Sequence, residues 1–109
     1  MKHIQLIKEL ELKGTVRSDE PKAQEIYNAP HRRILEIVLQ EGATLAKHKA
    51  NEPITVLCLA GEGVFRAGDE LEDEIDMRPG TLITLETGIP HEAVAGSGLR
   101  LLVTRIKDF

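Results

Sequence analysis

The chain has 109 residues, a length that fits one domain and leaves little for a second. Its apolar fraction of 41% and charged fraction of 29% are typical of a globular protein, whereas only 3% of the residues are aromatic, so we expect an aliphatic core. A net charge of −4 offers no basic face to a phosphate backbone, and few aromatic side chains are present to stack bases. We therefore expect no nucleic-acid partner.

The location of the protein is predicted from its cysteine content and its apolar runs. Cys58 is the one cysteine, so no internal disulfide can form and nothing points to an oxidising compartment. Charged residues interrupt the apolar start of the chain, which differs from a signal peptide, and the longest apolar run, residues 56–60, is far too short to span a bilayer. We expect a cytoplasmic protein with no membrane partner.

The first 30 residues are predicted to form an N-terminal arm that packs on the barrel domain or on a dimer partner. Residues 3–12 fit part of a helical apolar stripe, but residues 3–6 also alternate as a strand does. The pattern therefore predicts a short N-terminal strand or helix. Residues 31–109 are predicted to form the barrel.

From residue 31 onward the pattern is β. About eight short strands are expected at roughly eight-to-twelve-residue spacing, with turns that include residues 61–63 and 96–98. The expected strands are residues 34–39, 44–49, 54–59, a strand starting at 64–66, 72–76, 81–85, 91–95 and 99–106. No convincing helix follows residue 31, so the sequence predicts an all-β fold, an antiparallel jelly-roll barrel.

Two histidines beside turns are the candidate functional residues. His48 lies near the end of one expected strand, and His91 starts another. Strands that are distant in sequence can meet across a small barrel, so both imidazoles can approach one point in a shared interior cavity. Imidazole binds divalent transition metals, so Zn, Fe, Mn, Ni or Cu is a candidate cofactor.

Residues 42–61 resemble the first motif of the cupin superfamily. That motif runs glycine, five residues, His, one residue, His, three or four residues, Glu, six residues, glycine. The matching residues are Gly42, His48 and Gly61. Ala50 stands at the second histidine position, and Ile54, or Thr55 with the longer spacer, stands at the glutamate position.

Residues 80–95 resemble the second cupin motif, which runs glycine, five residues, Pro, one residue, Gly, two residues, His, three residues, Asn. The matching residues are Gly80, Gly88 and His91. Glu86 stands at the proline position and Ala95 at the asparagine position. The resemblance extends to the strand order of residues 31–106 and implies a small single-domain cupin.

The resemblance also implies an incomplete metal site. Cupins that hold a metal usually use two histidines and a glutamate from the first motif and one histidine from the second. Only His48 and His91 remain here, and two imidazoles hold a first-row metal weakly. A further ligand would have to come from elsewhere in the chain, and Glu52 and Glu86 are the candidates.

Strand alternation extends the candidate site to one face of residues 54–60. If Ile54 takes the inward position, Val56 and Cys58 share its face, so the expected ligand pocket comprises His48, Val56, Cys58 and His91. The alternative for Cys58 is a small buried hydrophobe. The alternative for the two histidines is that each is a core or rim residue whose ring nitrogens form hydrogen bonds with backbone groups.

These residues lead to three functional hypotheses, and no catalytic residue is identified among them. The first is a protein that binds a small organic molecule in the barrel, with or without a weakly held divalent metal. The second is a metal-dependent enzyme of dioxygenase or isomerase type that uses His48 and His91. The third is a non-catalytic sensor or regulatory module. The resemblance further implies a homodimer in which residues 3–12 pair with the partner's sheet.

Overall fold

The computed structural model describes residues 2–10, 16 and 22–107, and its seven strands are all antiparallel to their neighbours. No helix occurs among these residues, so the prediction of an all-β, antiparallel jelly-roll fold is confirmed. The strands are β1 (Ala23–Asn28), β2 (Arg32–Leu39), β3 (Thr44–His48), β4 (Ile54–Ala67), β5 (Asp73–Met77), β6 (Leu82–Leu85) and β7 (His91–Ile106).

The two longest strands, β4 and β7, pair with each other at the centre of the sheet. The main strand order is β1-β2-β7-β4-β5, with β3 also paired to β7 and β6 also paired to β4. The first part of β7 has β3 as its other neighbour, and the second part has β2. In the same way, β4 pairs with β6 in its first part and with β5 in its second. Each long strand therefore contributes to both halves of the barrel.

The expected turns at residues 61–63 and 96–98 are wrong, because β4 and β7 run through them. The register of the β4–β7 pair shifts between Cys58 and Ala60 and again between Glu62 and Gly63, as at β-bulges, which bend a strand without ending it. A Cβ atom on Gly61 would stand 1.9 Å from the carbonyl oxygen of Gly98. The glycines therefore allow the two bent backbones to approach closely.

The core lies between the two halves of the barrel and is built mainly from aliphatic side chains. Burial alternates along the first part of β4, where every second side chain from Ile54 to Cys58 is buried. Phe65 is the one aromatic side chain among the buried described residues, so the expectation of an aliphatic core is confirmed.

The predicted N-terminal arm divides into two parts. Residues 2–10 form neither a helix nor a strand, and residues 11 and 12 of the expected element lie outside the described residues. Ile7 and Leu10 line a surface pocket together with Ile34 of β2 and Leu102 of β7. Residues 23–28, also placed in the arm by the sequence, form β1 and pair with β2.

No helix among the described residues is long and apolar enough to cross a membrane.

The close approach of β4 and β7 predicts an unequal response to alanine at two glycines. Gly42 and Gly61 both have positive φ, at 73° and 80°, so alanine costs about 1–2 kcal/mol at either position. A Cβ on Gly42 meets nothing within 4 Å, whereas one on Gly61 overlaps the backbone of Gly98. In urea unfolding, we expect Gly61→Ala to lose at least about 2 kcal/mol more than Gly42→Ala, or to fail to fold. Equal losses would contradict this packing.

Candidate functional site

Strand pairing brings the two candidate histidines together. His48, at the end of β3, is the register partner of His91, at the start of β7. Their ring centroids are 4.3 Å apart, and the rings meet edge to face at 61°. His48 is exposed and His91 is buried, so the pair runs from the surface into the interior.

The backbone fixes the tautomer of both rings. Nδ1 of His48 lies 2.8 Å from the carbonyl oxygen of Ala46, and Nδ1 of His91 lies 3.0 Å from that of Ile89. Because a carbonyl oxygen can only accept, Nδ1 of a neutral ring must carry the proton, and Nε2 keeps its lone pair. Neither Nε2 atom forms a hydrogen bond with the described residues. Each ring therefore presents one acceptor.

The surroundings of His91 favour its neutral form. Its exposed fraction is 4%, and the ring of Phe65 stacks on it with centroids 5.7 Å apart. Burial lowers the pKa of His91 below its usual range, because the imidazolium loses its hydration. The carbonyl of Ile89 opposes this change, while His48 and Arg105 add to it.

Both histidines line one cavity of about 80 Å³ inside the barrel. Among the residues that the structure describes, the lining is apolar except for two imidazoles and one guanidinium, and it includes no carboxylate. The lining residues are Leu35, Ile37, Leu45, His48, Ala50, Ile54, Val56, Phe65, His91, Leu101, Val103 and Arg105.

Three of the four expected pocket residues, His48, Val56 and His91, line this cavity, and Cys58 does not. Cys58 is 1% exposed and belongs to the core, where its thiol donates to the carbonyl of Ala60 at 3.5 Å. Burial raises the pKa of the Cys58 thiol, so it stays protonated. Alternation identified the correct face of β4, but the cavity ends before it reaches Cys58.

Neither candidate carboxylate joins the histidines. Glu86 is exposed, and Oε1 of Glu52 lies 2.6 Å from Nε of Arg105. No group of three or more His, Cys, Asp or Glu side chains within residues 2–10, 16 and 22–107 could hold a metal ion. Two imidazoles alone do not meet the three or four protein ligands of a stable transition-metal site. The described residues therefore do not fit a tightly held metal.

The cavity nevertheless brings together all four positions that hold metal in the resembling motifs. Ala50 and Ile54 line it beside His48 and His91, whereas Thr55 does not. The shorter motif spacing, with Ile54 at the glutamate position, therefore matches the structure. Apolar groups stand at two of the four positions.

The cavity also contains a charged residue that the sequence prediction missed. Arg105 lies near the end of β7, where it is the register partner of Ile54 in β4. Its contact with Glu52 is an ion pair by distance, although the N–H at Nε forms no aligned hydrogen bond. Alternation along β7 could have identified it, because Leu101, Val103 and Arg105 are spaced by two residues on one face.

The lowered pKa of His91 predicts a specific pH dependence of stability. The unfolded chain, with a histidine pKa near 6.5, binds more protons than the folded chain between the two pKa values. The contribution of His91 to the free energy of unfolding is therefore complete above about pH 6.5 and is lost as the pH falls towards the folded-state pKa. In chelator-treated buffer, we expect His91→Asn to lose less unfolding free energy between about pH 7.5 and about pH 5 than the wild type does.

The exposed His31 supplies the matched control for this measurement. His31→Asn should keep the pH dependence of the wild type in the same urea titrations. An unchanged pH dependence in His91→Asn would contradict the burial effect.

Comparison with known proteins identifies the fold. No family model matches the sequence, and no curated protein matches it. A cupin superfamily protein from Desulfitobacterium hafniense has a TM-score of 0.74 at 16% identity, over 84% of this chain and 82% of that chain. An RmlC-like cupin family protein with a double-stranded β-helix fold from Methanocaldococcus jannaschii has a TM-score of 0.70 at 18% identity, over 87% and 90%. A DMSP lyase from Ruegeria pomeroyi has a TM-score of 0.72 at 16% identity, over 80% of this chain and 47% of that chain. The chain therefore has the fold of a small cupin domain.

Proposed function

We propose that this chain binds a small organic molecule in the cavity beside His48 and His91, with or without a weakly held divalent metal. The observation that carries the proposal is an apolar cavity lined by two imidazoles, each bound to a backbone carbonyl through Nδ1, and one guanidinium. Ligand sites in proteins are typically apolar pockets in which a few placed polar groups fix the orientation of the ligand.

The chemistry of the cavity limits what the two histidines do. With Nδ1 bound to the backbone, each Nε2 can accept a hydrogen bond from a hydroxyl or N–H group of a ligand. The buried ring of His91 is held in place by the Ile89 carbonyl and by stacking on Phe65. His91 would therefore orient a bound molecule at little conformational cost.

The metal-dependent enzyme has less support than the binding protein. A DMSP lyase shares the fold, so the fold can carry lyase chemistry, but 16% identity extends no activity to this chain. Ala50 and Ile54 supply no ligand atoms at two of the four motif positions. A sensor or regulatory module would depend on the same binding event and would need a separate partner.

The homodimer and the cytoplasmic location stay predictions. In a dimer formed through the N-terminal segment, the exposed side chains of Ile4 and Leu6 are the apolar groups that the contact would cover.

Narrowing the cavity by two methyl groups tests the proposed function. Ala50→Val adds two methyl groups to the cavity lining. The control, Ala46→Val, adds the same groups at an exposed position four residues earlier in the chain. In a thermal-shift screen of small acids, sugars and aromatics, we expect a ligand that raises the melting temperature of the wild type and of Ala46→Val. Ala50→Val should lose most of this response. A ligand at 100 times its Kd stabilises by about 2.7 kcal/mol, a shift of several degrees for a domain of this size.

Two results would contradict the proposal: no compound raises the melting temperature of the wild type, or Ala50→Val responds as the wild type does.

Metal analysis of protein purified without a histidine tag tests the enzyme hypothesis in parallel. If the metal is substoichiometric and its amount is unchanged in a His48→Ala/His91→Ala variant, the metal-dependent enzyme is excluded.

A further inference from the structure

Among the described residues that line the cavity, only Arg105 carries a permanent charge. We propose that the ligand is a short aliphatic carboxylate whose carboxylate group binds the guanidinium of Arg105. This inference rests on the proposed function, because it names the chemical class of the molecule bound in the same cavity.

The pairing of Arg105 leaves part of its guanidinium available. The nearest contact of Glu52 is at Nε, and no hydrogen bond from the two terminal nitrogens to a described residue is found. Those two nitrogens form the end of the fork, where a carboxylate can accept two parallel N–H bonds. Glu52 therefore positions the guanidinium from the side and leaves its end for a ligand.

The hydrogen-bond donors of the lining favour a single orientation of the ligand. The Nδ1–H groups of His48 and His91 are already used by backbone carbonyls, and in a neutral ring Nε2 is an acceptor that would repel a carboxylate. The remaining lining is apolar, and no lining carboxylate would attract a cation. An anionic group therefore belongs at Arg105, and the uncharged part of the ligand belongs near the imidazoles.

The size of the cavity indicates a short aliphatic chain. Its volume of about 80 Å³ is smaller than that of a cavity of about 150 Å³ that accommodates benzene. Branched aliphatic side chains such as Val56, Leu101 and Val103 form its walls and would pack on a few methylene groups.

Butyrate and its neutral isostere butyramide form the probe pair for the test, with binding measured by NMR titration. Because the two differ mainly in charge, their affinity ratio measures the effect of the ligand's charge, and its change in an Arg105 variant isolates the contribution of Arg105. We expect the wild type to bind butyrate at least about tenfold more tightly than butyramide, a difference of about 1.4 kcal/mol. Arg105→Gln should abolish this preference.

Two further variants make the result independent of folding defects. Arg66→Gln is the matched control, because Arg66 also forms an ion pair, with Glu74, but does not line the cavity. It should keep the preference of the wild type. The double variant Glu52→Gln/Arg105→Gln removes both charges of the Glu52–Arg105 pair, so no carboxylate is left unpaired. It should fold normally and lose the preference for butyrate over butyramide.

The outcomes separate this inference from the proposed function. If the wild type binds both compounds equally in the cavity, or if Arg105→Gln and the double variant keep the preference, the carboxylate inference is overturned and the proposed function stands. If the wild type binds neither compound, the carboxylate inference is also overturned. The proposed function then falls only if the wider thermal-shift screen fails as well.

Discussion

The close antiparallel pairing of β4 with β7 is the constraint on which the rest of the structure depends. It extends over most of both strands, and it requires Gly61 to lie where any Cβ would overlap the backbone of Gly98. Both strands change their second neighbour along their length, so one bent pair joins the two halves of the barrel. Because β7 carries His91 at its start and Arg105 near its end, the same strand supplies two of the three polar groups of the cavity.

The chemistry of the cavity follows from what surrounds its polar groups. Backbone carbonyls occupy Nδ1 of both histidines, which leaves two acceptors, and burial keeps His91 neutral. Ala50 and Ile54 fill the places where the resembling motifs have metal ligands, so the cavity has metal-binding donors at only two of these four positions. An apolar wall replaces the missing donors, which suits an organic ligand better than a metal ion.

Local patterns in the sequence were sufficient to predict the β fold, the face of β4 that contains Val56, and the convergence of His48 with His91. They could not separate a turn from a bulge at Gly61, because both need glycine, and only the pairing with distant β7 decides between them. The depth of the cavity, which excludes Cys58, depends on packing across several strands. The sequence also cannot show that Glu52, a candidate metal ligand, pairs with Arg105, because the two residues are far apart in the chain.

Restoring the two missing ligands tests most directly the claim that four motif positions converge on one cavity. Zinc binding to an Ala50→His/Ile54→Glu variant can be measured by calorimetry, with Ala46→His/Thr55→Glu as a control at non-lining positions on the same stretches of chain. With four ligands present, the account predicts one zinc per chain, bound at least about a hundredfold more tightly than by the wild type or the control. Zinc affinity that is no higher in a folded Ala50→His/Ile54→Glu variant than in the control would contradict the account.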